Sequence, residues 1–195
     1  MPDRNTDDRL LEKAGGGDQS AFLELYERHR QPIFRFAYRL LGSVEMAEDI
    51  THDCFLGLIK KPENFDPSRA SLRTYMYAAA RNLAMKHFRS SGREAALDDL
   101  TEEPIVPRRQ EPLRRLLDEE LSEKVKEAIS NLPPLQREAL ILYEYEELAL
   151  SEIATVVGTD VGAVKSRLYR ARERLRSTLG SYLNSSQEIV TLKEA

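Results

Sequence analysis

The sequence predicts an all-α protein made of two small helical domains joined by a flexible linker. Its 195 residues are 32% charged and only 7% aromatic, and its 9 glycines and 9 prolines are spread along the chain. This composition is typical of helices rich in Ala, Leu, Glu and Arg, whereas β-sandwiches and barrels need many short strands separated by turns. Several segments also repeat apolar residues at spacings of three and four, the period of a helix with one buried face.

Three helices are predicted in the first domain, residues 7–91, and they span about 18–41, 43–61 and 71–88. Asp18 and Ser43 can cap the first two, because their side-chain oxygens accept hydrogen bonds from the free N–H groups of the first turn. Gly42 supplies the left-handed residue that closes a helix. Pro62 prevents the second helix from continuing, so residues 62–71 are predicted to form a loop.

Residues 92–112 are predicted to be an extended linker between the domains. The segment contains Pro104, Pro107 and Pro112, mixed charges and no apolar period. At the other end of the second domain, residues 181–195 are polar and weakly patterned. They are predicted to be a tail outside that domain.

The second predicted domain, residues 113–180, contains four helices, at about 113–130, 134–147, 152–157 and 160–179. Pro134 suits the first position of its helix, because proline lacks the N–H group that would be unpaired there. Ser151 is predicted to cap the third of these helices, and Asp160 or Thr159 the fourth.

Composition and sequence pattern exclude several classes of protein. No run approaches the ~18 apolar residues of a membrane span, and the N-terminus lacks the apolar core of a secretory signal. Cys54 is the only cysteine, which rules out an internal disulfide and fits a reducing cytosol. We therefore expect a cytoplasmic protein without membrane insertion.

The sequence also contains no recognisable enzyme active site. His29, His52 and His87 are not spaced with Cys54, or with each other, as metal ligands are. A glycine-rich phosphate loop and a nucleophile elbow are both absent from the sequence. We expect neither catalysis nor a bound metal or cofactor.

Residues 151–170 have the organisation of a helix-turn-helix: a short helix, a turn centred on Gly158 and a second helix. Six cations lie between residues 160 and 178 against two acidic residues, although the whole chain has a net charge of −4. Four side chains near the start of the second helix would reach the bases and phosphates of a major groove: Lys165, Ser166, Tyr169 and Arg170. The alternative is a solvated amphipathic helix with ordinary surface arginines; the preceding turn favours the DNA-binding interpretation.

The third helix of the first domain combines cations with aromatic residues: Arg73, Arg81, Lys86 and Arg89 with Tyr75, Tyr77 and Phe88. This pattern suits single-stranded DNA, because the backbone needs positive charge and an unpaired base needs an aromatic face or a pocket. The alternative is that Tyr75 and Phe88 belong to the core and that the cations are merely solvated.

Six segments of the chain resemble, in order, an extracytoplasmic-function (ECF) sigma factor of bacterial RNA polymerase. They are GDQSAFLELY (17–26), AEDITHDCF (47–55), FDP (65–67), YAAARNLA (77–84), LPPLQRE (132–138) and VKSRLYRAR (164–172). The resemblance covers nearly everything from Asp7 to Leu179, with a linker where that family separates its two domains. It implies an alternative sigma factor that directs core polymerase to specific promoters.

The resemblance assigns a DNA element to each domain. The C-terminal domain would recognise the −35 element through five residues of the second helix of the helix-turn-helix: Lys165, Ser166, Arg167, Tyr169 and Arg170. The N-terminal domain would recognise and open the −10 element through Arg73, Tyr75, Arg81, Asn82 and Lys86, with Asn82 at the surface for a flipped-out base.

The resemblance also implies protein partners. Glu48, Asp49, Asp53 and Phe55 match the face that docks on the coiled coil of the largest polymerase subunit. The helices around 135–148 match the part that packs on the flap of the second-largest subunit. An anti-sigma factor is a candidate partner, whose existence and identity the sequence does not give.

Two other kinds of function remain open from the residues. One is an autonomous helix-turn-helix regulator that binds an operator as a dimer, with residues 7–89 as its dimerisation or sensor module. The other is an adaptor whose cationic helix binds an acidic protein. Transcription by core polymerase with and without the chain separates both from a sigma factor.

Overall fold

The structure, a computed structural model, describes the backbone of residues 4–90 and 115–193. Within these ranges the chain forms eight α-helices and no strand, so the all-α prediction is confirmed. The helices are α1 Arg4–Gly15, α2 Gln19–Leu41, α3 Val44–Lys60, α4 Leu72–Ser90, α5 Arg115–Ser130, α6 Pro134–Glu144, α7 Leu150–Val157 and α8 Val161–Lys193. The predicted linker, 92–112, lies outside the described residues.

The predicted caps of α2 and α3 are confirmed. The Asp18 carboxylate accepts hydrogen bonds from the N–H groups of Ser20 and Ala21, at 3.0 and 3.1 Å. The Ser20 hydroxyl also donates to it, at 2.6 Å, and this bond, followed by the backbone bonds, lowers the pKa of Asp18. Gly42 closes α2 with a left-handed φ of 73°. Ser43 Oγ accepts from the Met46 N–H group at 3.3 Å, so α3 begins where the sequence indicates.

Helix α1 was not predicted from the sequence. It packs on α2, with Leu11 and Asp7 both buried at the contact. The Asp7 carboxylate accepts a hydrogen bond from Arg28 and lies 2.9 Å from His29 Nε2. Tertiary contacts of this kind stabilise a short polar helix that would be marginal by itself.

The buried Asp7–His29 pair makes stability depend on pH. Burial lowers the pKa of His29 below its ordinary value of 6.5, although the Asp7 carboxylate opposes the change. The unfolded chain therefore binds the proton first as the pH falls, so the contribution of His29 is complete above about pH 6.5 and declines below it. We expect urea unfolding between pH 7.5 and 5.5 to show this loss, with a slope of at most about 1.4 kcal/mol per pH unit from this group.

The matched comparison for this prediction is His29→Gln against His52→Gln, because His52 is exposed. The first variant should lose part of the pH dependence between pH 5.5 and 7.5, and the second should retain all of it. Equal slopes in the two variants would show that His29 does not titrate in this range.

Buried apolar side chains fill both groups of helices and form one continuous cluster across the two domains. Helices α2, α3 and α4 enclose side chains that are at most 1% exposed: Leu25, Ile33, Phe36, Leu40, Ile50, Leu58, Leu72 and Met76. Helices α6, α7 and α8 enclose Ile141, Leu142, Ile153, Val157, Val164 and Leu168. The faces that the two helices of the helix-turn-helix turn towards each other are therefore apolar and buried.

Three predicted helix boundaries in the second domain are wrong: the start of α7 and the ends of α6 and α8. Helix α7 starts at Leu150 with Ala149 as its N-cap, and Ser151 lies inside it; the Ala149 N–H group is satisfied by Glu152 Oε2 at 2.9 Å. Helix α8 continues to Lys193, through residues predicted to be a tail. The segment contains no proline, and Gly180 costs a helix only about 1 kcal/mol, so polarity alone did not justify ending the helix there.

Helix α6 ends at Glu144, before the predicted end at 147, and Glu147 has a left-handed φ of 51°. A residue with a β-carbon is strained there by roughly 1–2 kcal/mol, whereas glycine is not. We expect Glu147→Gly to stabilise the protein by about 1 kcal/mol, measured by thermal unfolding. Glu147→Ala is the matched control, since it removes the charge but keeps the β-carbon. An equal gain in both variants would attribute the effect to charge.

Candidate nucleic-acid interface

The turn before α8 fixes the geometry of the helix-turn-helix. Gly158 adopts a left-handed φ of 68° and closes α7. Asp160 then caps α8, because its Oδ1 accepts a hydrogen bond from the Ala163 N–H group at 2.9 Å, and this bond lowers the pKa of Asp160. Of the two predicted caps, Asp160 is therefore the one that the structure uses.

The start of α8 presents a polar face to solvent. Four of the five predicted −35 residues are exposed: Lys165, Ser166, Tyr169 and Arg170. Tyr169 is 68% exposed. The opposite face is anchored in the core by Val164, Leu168 and Ala171. This arrangement can place cations, a hydroxyl and an aromatic ring in a DNA groove without disturbing the core.

Arg167 is placed differently from its four neighbours. Its Nη1 donates a hydrogen bond to Glu138 Oε1 at 3.2 Å, and its side chain is 21% exposed. In this conformation it is held against α6 and does not project with the exposed face. The expectation that Arg167 contacts DNA directly does not fit this placement.

The predicted −10 residues on α4 fall into two groups. Asn82 and Lys86 are exposed, and Tyr75 is half-buried, with its ring 5.5 Å from that of Phe65. Arg73 and Arg81 instead face the second domain. Two of the aromatic residues noted in the pattern, Tyr77 and Phe88, belong to the core.

Arg81 and Arg73 both bind groups of the C-terminal domain. Arg81 donates from Nε and Nη2 to the two oxygens of Glu138, at 2.9 and 3.3 Å. Arg73 donates to the backbone oxygen of Glu146, and Tyr77 donates its hydroxyl to Glu146 Oε2 at 2.5 Å. The structure therefore brings part of the predicted −10 site against α6 and the residues that follow it.

Glu138 lies at the centre of this contact. Its side chain is 0% exposed, and it binds an arginine from each predicted DNA site, Arg81 and Arg167. Burial raises the pKa of Glu138, and the two guanidinium groups act in the opposite direction. Neither this role nor that of Glu146 was predicted from the sequence; the only signal was the position of Glu138 at the end of the 132–138 segment.

Three of the four predicted polymerase-docking residues on α3 are exposed, and one is buried. Glu48, Asp49 and Asp53 are exposed, as a docking surface requires. Phe55 is 3% exposed and packs inward, with its ring 4.8 Å from that of Tyr26. Phe55 is therefore not part of the exposed face of α3 in this conformation, and its role in docking stays a prediction.

The C-terminal end of α6 exposes Tyr143, and its C-cap exposes Tyr145; both lie within the predicted 135–148 docking part. Among the residues that the structure describes, no three His, Cys, Asp or Glu side chains group as metal ligands. None of the helices in the described ranges is long and apolar enough to cross a membrane.

Two family patterns match the chain, one in each domain. Sigma-70 region 2 matches residues 25–94 and Sigma-70 region 4 matches residues 122–175. The ECF RNA polymerase sigma factor SigW of Bacillus subtilis is 33% identical over 179 residues, which cover 88% of this chain and 95% of SigW. The RNA polymerase sigma-H factor of Pseudomonas aeruginosa is 30% identical over 194 residues, covering 95% of this chain and all of that protein.

Two solved structures share the fold. CnrH, solved in complex with the cytosolic domain of CnrY, aligns over 90% of this chain and 98% of its own, with a TM-score of 0.67 and 24% identity. The sigma factor RpoE from Bartonella quintana, solved with the anti-sigma factor NepR, aligns over 82% of this chain and 96% of its own, with a TM-score of 0.61 and 25% identity.

Proposed function

Since the chain belongs to the ECF sigma factors of RNA polymerase, we propose that it directs the core enzyme to promoters through the surfaces described above. The observation that carries this proposal is the order of the two matched regions, each on its own helical unit. An alternative sigma factor needs both units, because one must read duplex DNA while the other opens it. An autonomous regulator would need only the helix-turn-helix.

The exposed face of α8 is the proposed reader of the −35 element. Lys165, Ser166, Tyr169 and Arg170 would contact base edges and phosphates, while the N-terminus of α8 favours a phosphate nearby. Arg167 would contact DNA only after its hydrogen bond to Glu138 is broken. Phosphate contacts set affinity and register, whereas base contacts set specificity.

Helix α4 is the proposed surface for the opened −10 strand. The exposed amide of Asn82 would pair with an extruded base, Lys86 would hold the backbone, and Tyr75 would offer an aromatic face. Arg73 and Arg81 would add positive charge once released from the C-terminal domain. The exposed carboxylates Glu48, Asp49 and Asp53 would dock on the coiled coil of the largest polymerase subunit, and the surface around Tyr143 and Tyr145 on the flap.

The chain acts by binding and not by a chemical step of its own. The Cys54 thiol, the one strong nucleophile of the sequence, is buried, and burial raises its pKa to about 12. Its site of action is the cytoplasm, where core polymerase works. An anti-sigma factor is a proposed regulator, because the similar RpoE was solved with one.

The test is run-off transcription from fragments covering a bacterial genome, with core polymerase in the presence and absence of the chain. We expect a small set of start sites that appear only when the chain is added. Operator binding at nanomolar concentration by the chain alone, without new start sites, would instead favour the autonomous regulator.

A further inference from the structure

We propose that Arg167 is a positioning residue: its bond to Glu138 fixes the rotation of α8 about its own axis and thereby decides which side chains face the promoter. The inference rests on the proposed function of α8 as the reader of the −35 element. It gives Arg167 a role different from the direct DNA contact that the family resemblance implies. Arg167 stays bound to α6 while its exposed neighbours contact the DNA.

The Arg167 guanidinium interacts with two acidic groups of its own domain. Its Nη1 donates a hydrogen bond to Glu138 Oε1, on α6, at 3.2 Å. The pKa of Asp160, the N-cap of α8, is lowered first by the hydrogen bond from the Ala163 N–H group and other backbone bonds, and the charge of Arg167 adds to this effect. One side chain therefore connects α6 with the turn that starts α8. A contact with DNA would have to replace both interactions.

The burial of Glu138 makes Arg167 costly to withdraw. The Glu138 side chain is 0% exposed, and that of Arg167 is 21% exposed. In this conformation the carboxylate also binds Arg81 of α4, which the proposed function releases. Withdrawing Arg167 as well would leave the carboxylate without either arginine, and breaking a buried ion pair by removing one partner is strongly destabilising. Arg167 and Glu138 belong to the same domain, so their bond does not depend on α4.

A second arginine ties the other border of the buried face of α8 to α6. That face consists of Val164, Leu168 and Ala171. At about 100° per residue, Arg167 and Arg172 fall on opposite sides of it. Arg172 Nη2 donates to Glu144 Oε1, near the end of α6, at 2.7 Å. A rotation of α8 in either direction would therefore strain one of the two ion pairs.

The two ion pairs differ in burial, and so in how much they contribute. Arg172 and Glu144 are 49% and 45% exposed, and exposed ion pairs contribute little to stability. The buried bond of Arg167 is therefore the main restraint on rotation. At a helix radius of about 5–6 Å, a rotation of about 20° moves the end of a side chain by about 2 Å. A hydrogen bond to a base edge does not tolerate such a shift, whereas long cationic side chains can still reach a phosphate.

The test uses holoenzyme reconstituted with the full chain and labelled promoter fragments on which run-off transcription has located a start site. The −35 element is intact in one fragment and scrambled in the other. The ratio of the two affinities measures specificity, and the slope of log affinity against log KCl concentration measures phosphate contacts. Thermal unfolding of each free variant checks stability.

Three variants separate positioning from DNA contact. Arg167→Gln removes the cation. The double variant Arg167→Gln with Glu138→Gln replaces the ion pair by two amides that can bond to each other, and it leaves the net charge unchanged. Arg176→Gln is the control, because it removes an exposed cation that pairs with Glu173 along the same helix.

We expect Arg167→Gln to lower the specificity ratio about fivefold or more with an unchanged salt slope, and the double variant to recover most of the ratio. The control should keep the wild-type ratio. The double variant leaves no buried charge without its arginine, so it decides the question if Arg167→Gln fails to fold. A salt slope reduced by about one in the double variant, with no recovery of the ratio, would show that Arg167 contacts a phosphate and would overturn the proposal.

Failure of the proposed function gives a different result. Hydrogen exchange of the amides of α6 and α8 in the full free chain reports the restraint on α8 without polymerase or DNA. Faster exchange in Arg167→Gln that the double variant reverses, with no start sites from any form of the chain, would mean that the restraint is real and the sigma function is wrong. Start sites that depend on the chain, with unchanged exchange in Arg167→Gln, would leave the function standing and overturn the positioning role.

Discussion

Replacing Lys165 and Arg170 together by alanine is expected to lower transcription from promoters that need the −35 element by at least about tenfold, because one lost bidentate base contact costs ~1 to 3 kcal/mol. Both side chains are exposed on α8, away from the buried anchors Val164 and Leu168, so the fold should be unaffected. Run-off transcription by reconstituted holoenzyme measures the loss. Thermal unfolding of each variant checks stability.

The salt dependence of DNA binding distinguishes phosphate contacts from base contacts at Lys165 and Arg170. A residue that touches only phosphate weakens binding to all sequences alike and reduces the salt slope by about one, whereas a residue that reads a base relaxes specificity at one position. Arg176→Ala is the control, because it removes an exposed cation, 75% accessible, further along the same helix. If the double variant and this control transcribe equally well, α8 is not the element that reads the promoter.

Local signals explain why most helices could be predicted from the sequence. The hydrogen bonds of Asp18 and the left-handed φ of Gly42 depend on residues within a few positions, so residue type and spacing suffice to place the ends of α2. Helix α1 has no such signal. It is held by contacts of Asp7 with Arg28 and His29, which lie 21 and 22 residues away.

The difference between local and long-range signals also explains which candidate site residues the sequence placed correctly at the surface. The exposure of Lys165 and Tyr169 follows from helical periodicity, once the turn at Gly158 sets the start of α8. For Phe55 the two lines of reasoning disagreed. Its spacing within α3 predicts a buried side chain, whereas the family resemblance assigned it to the docking face. The structure agrees with the spacing.

The contact between the domains could not be predicted from the sequence, because no residue pattern near either side of the contact indicates it. Arg81 and Glu138 are 57 residues apart, and each is on an amphipathic helix where a charged residue is expected to be solvated. Two arginines from different parts of the chain meet one buried carboxylate only when the helices are assembled. Ion pairs between residues so far apart in the sequence can be identified only from a three-dimensional structure.

Asn82→Ala is expected to reduce the formation of open promoter complexes while leaving polymerase binding and closed complexes unchanged. An amide can pair with the edge of an extruded base, and Asn82 is exposed on α4 in a position to do so. Its exposure also argues against a purely structural role, in which the amide would satisfy a buried backbone group. The melting temperature of the variant should therefore equal that of the wild type.

Permanganate footprinting of the −10 region measures the opened strand directly, and Gln31→Ala serves as control because it removes an exposed amide from α2. A template with a bubble already melted should restore only part of the activity of Asn82→Ala. The bubble removes the cost of unpairing the bases, but the contact that holds the extruded base is still missing. Full recovery on the bubble would mean that Asn82 assists melting without holding a base, and an unchanged footprint on duplex DNA would reject the contact altogether.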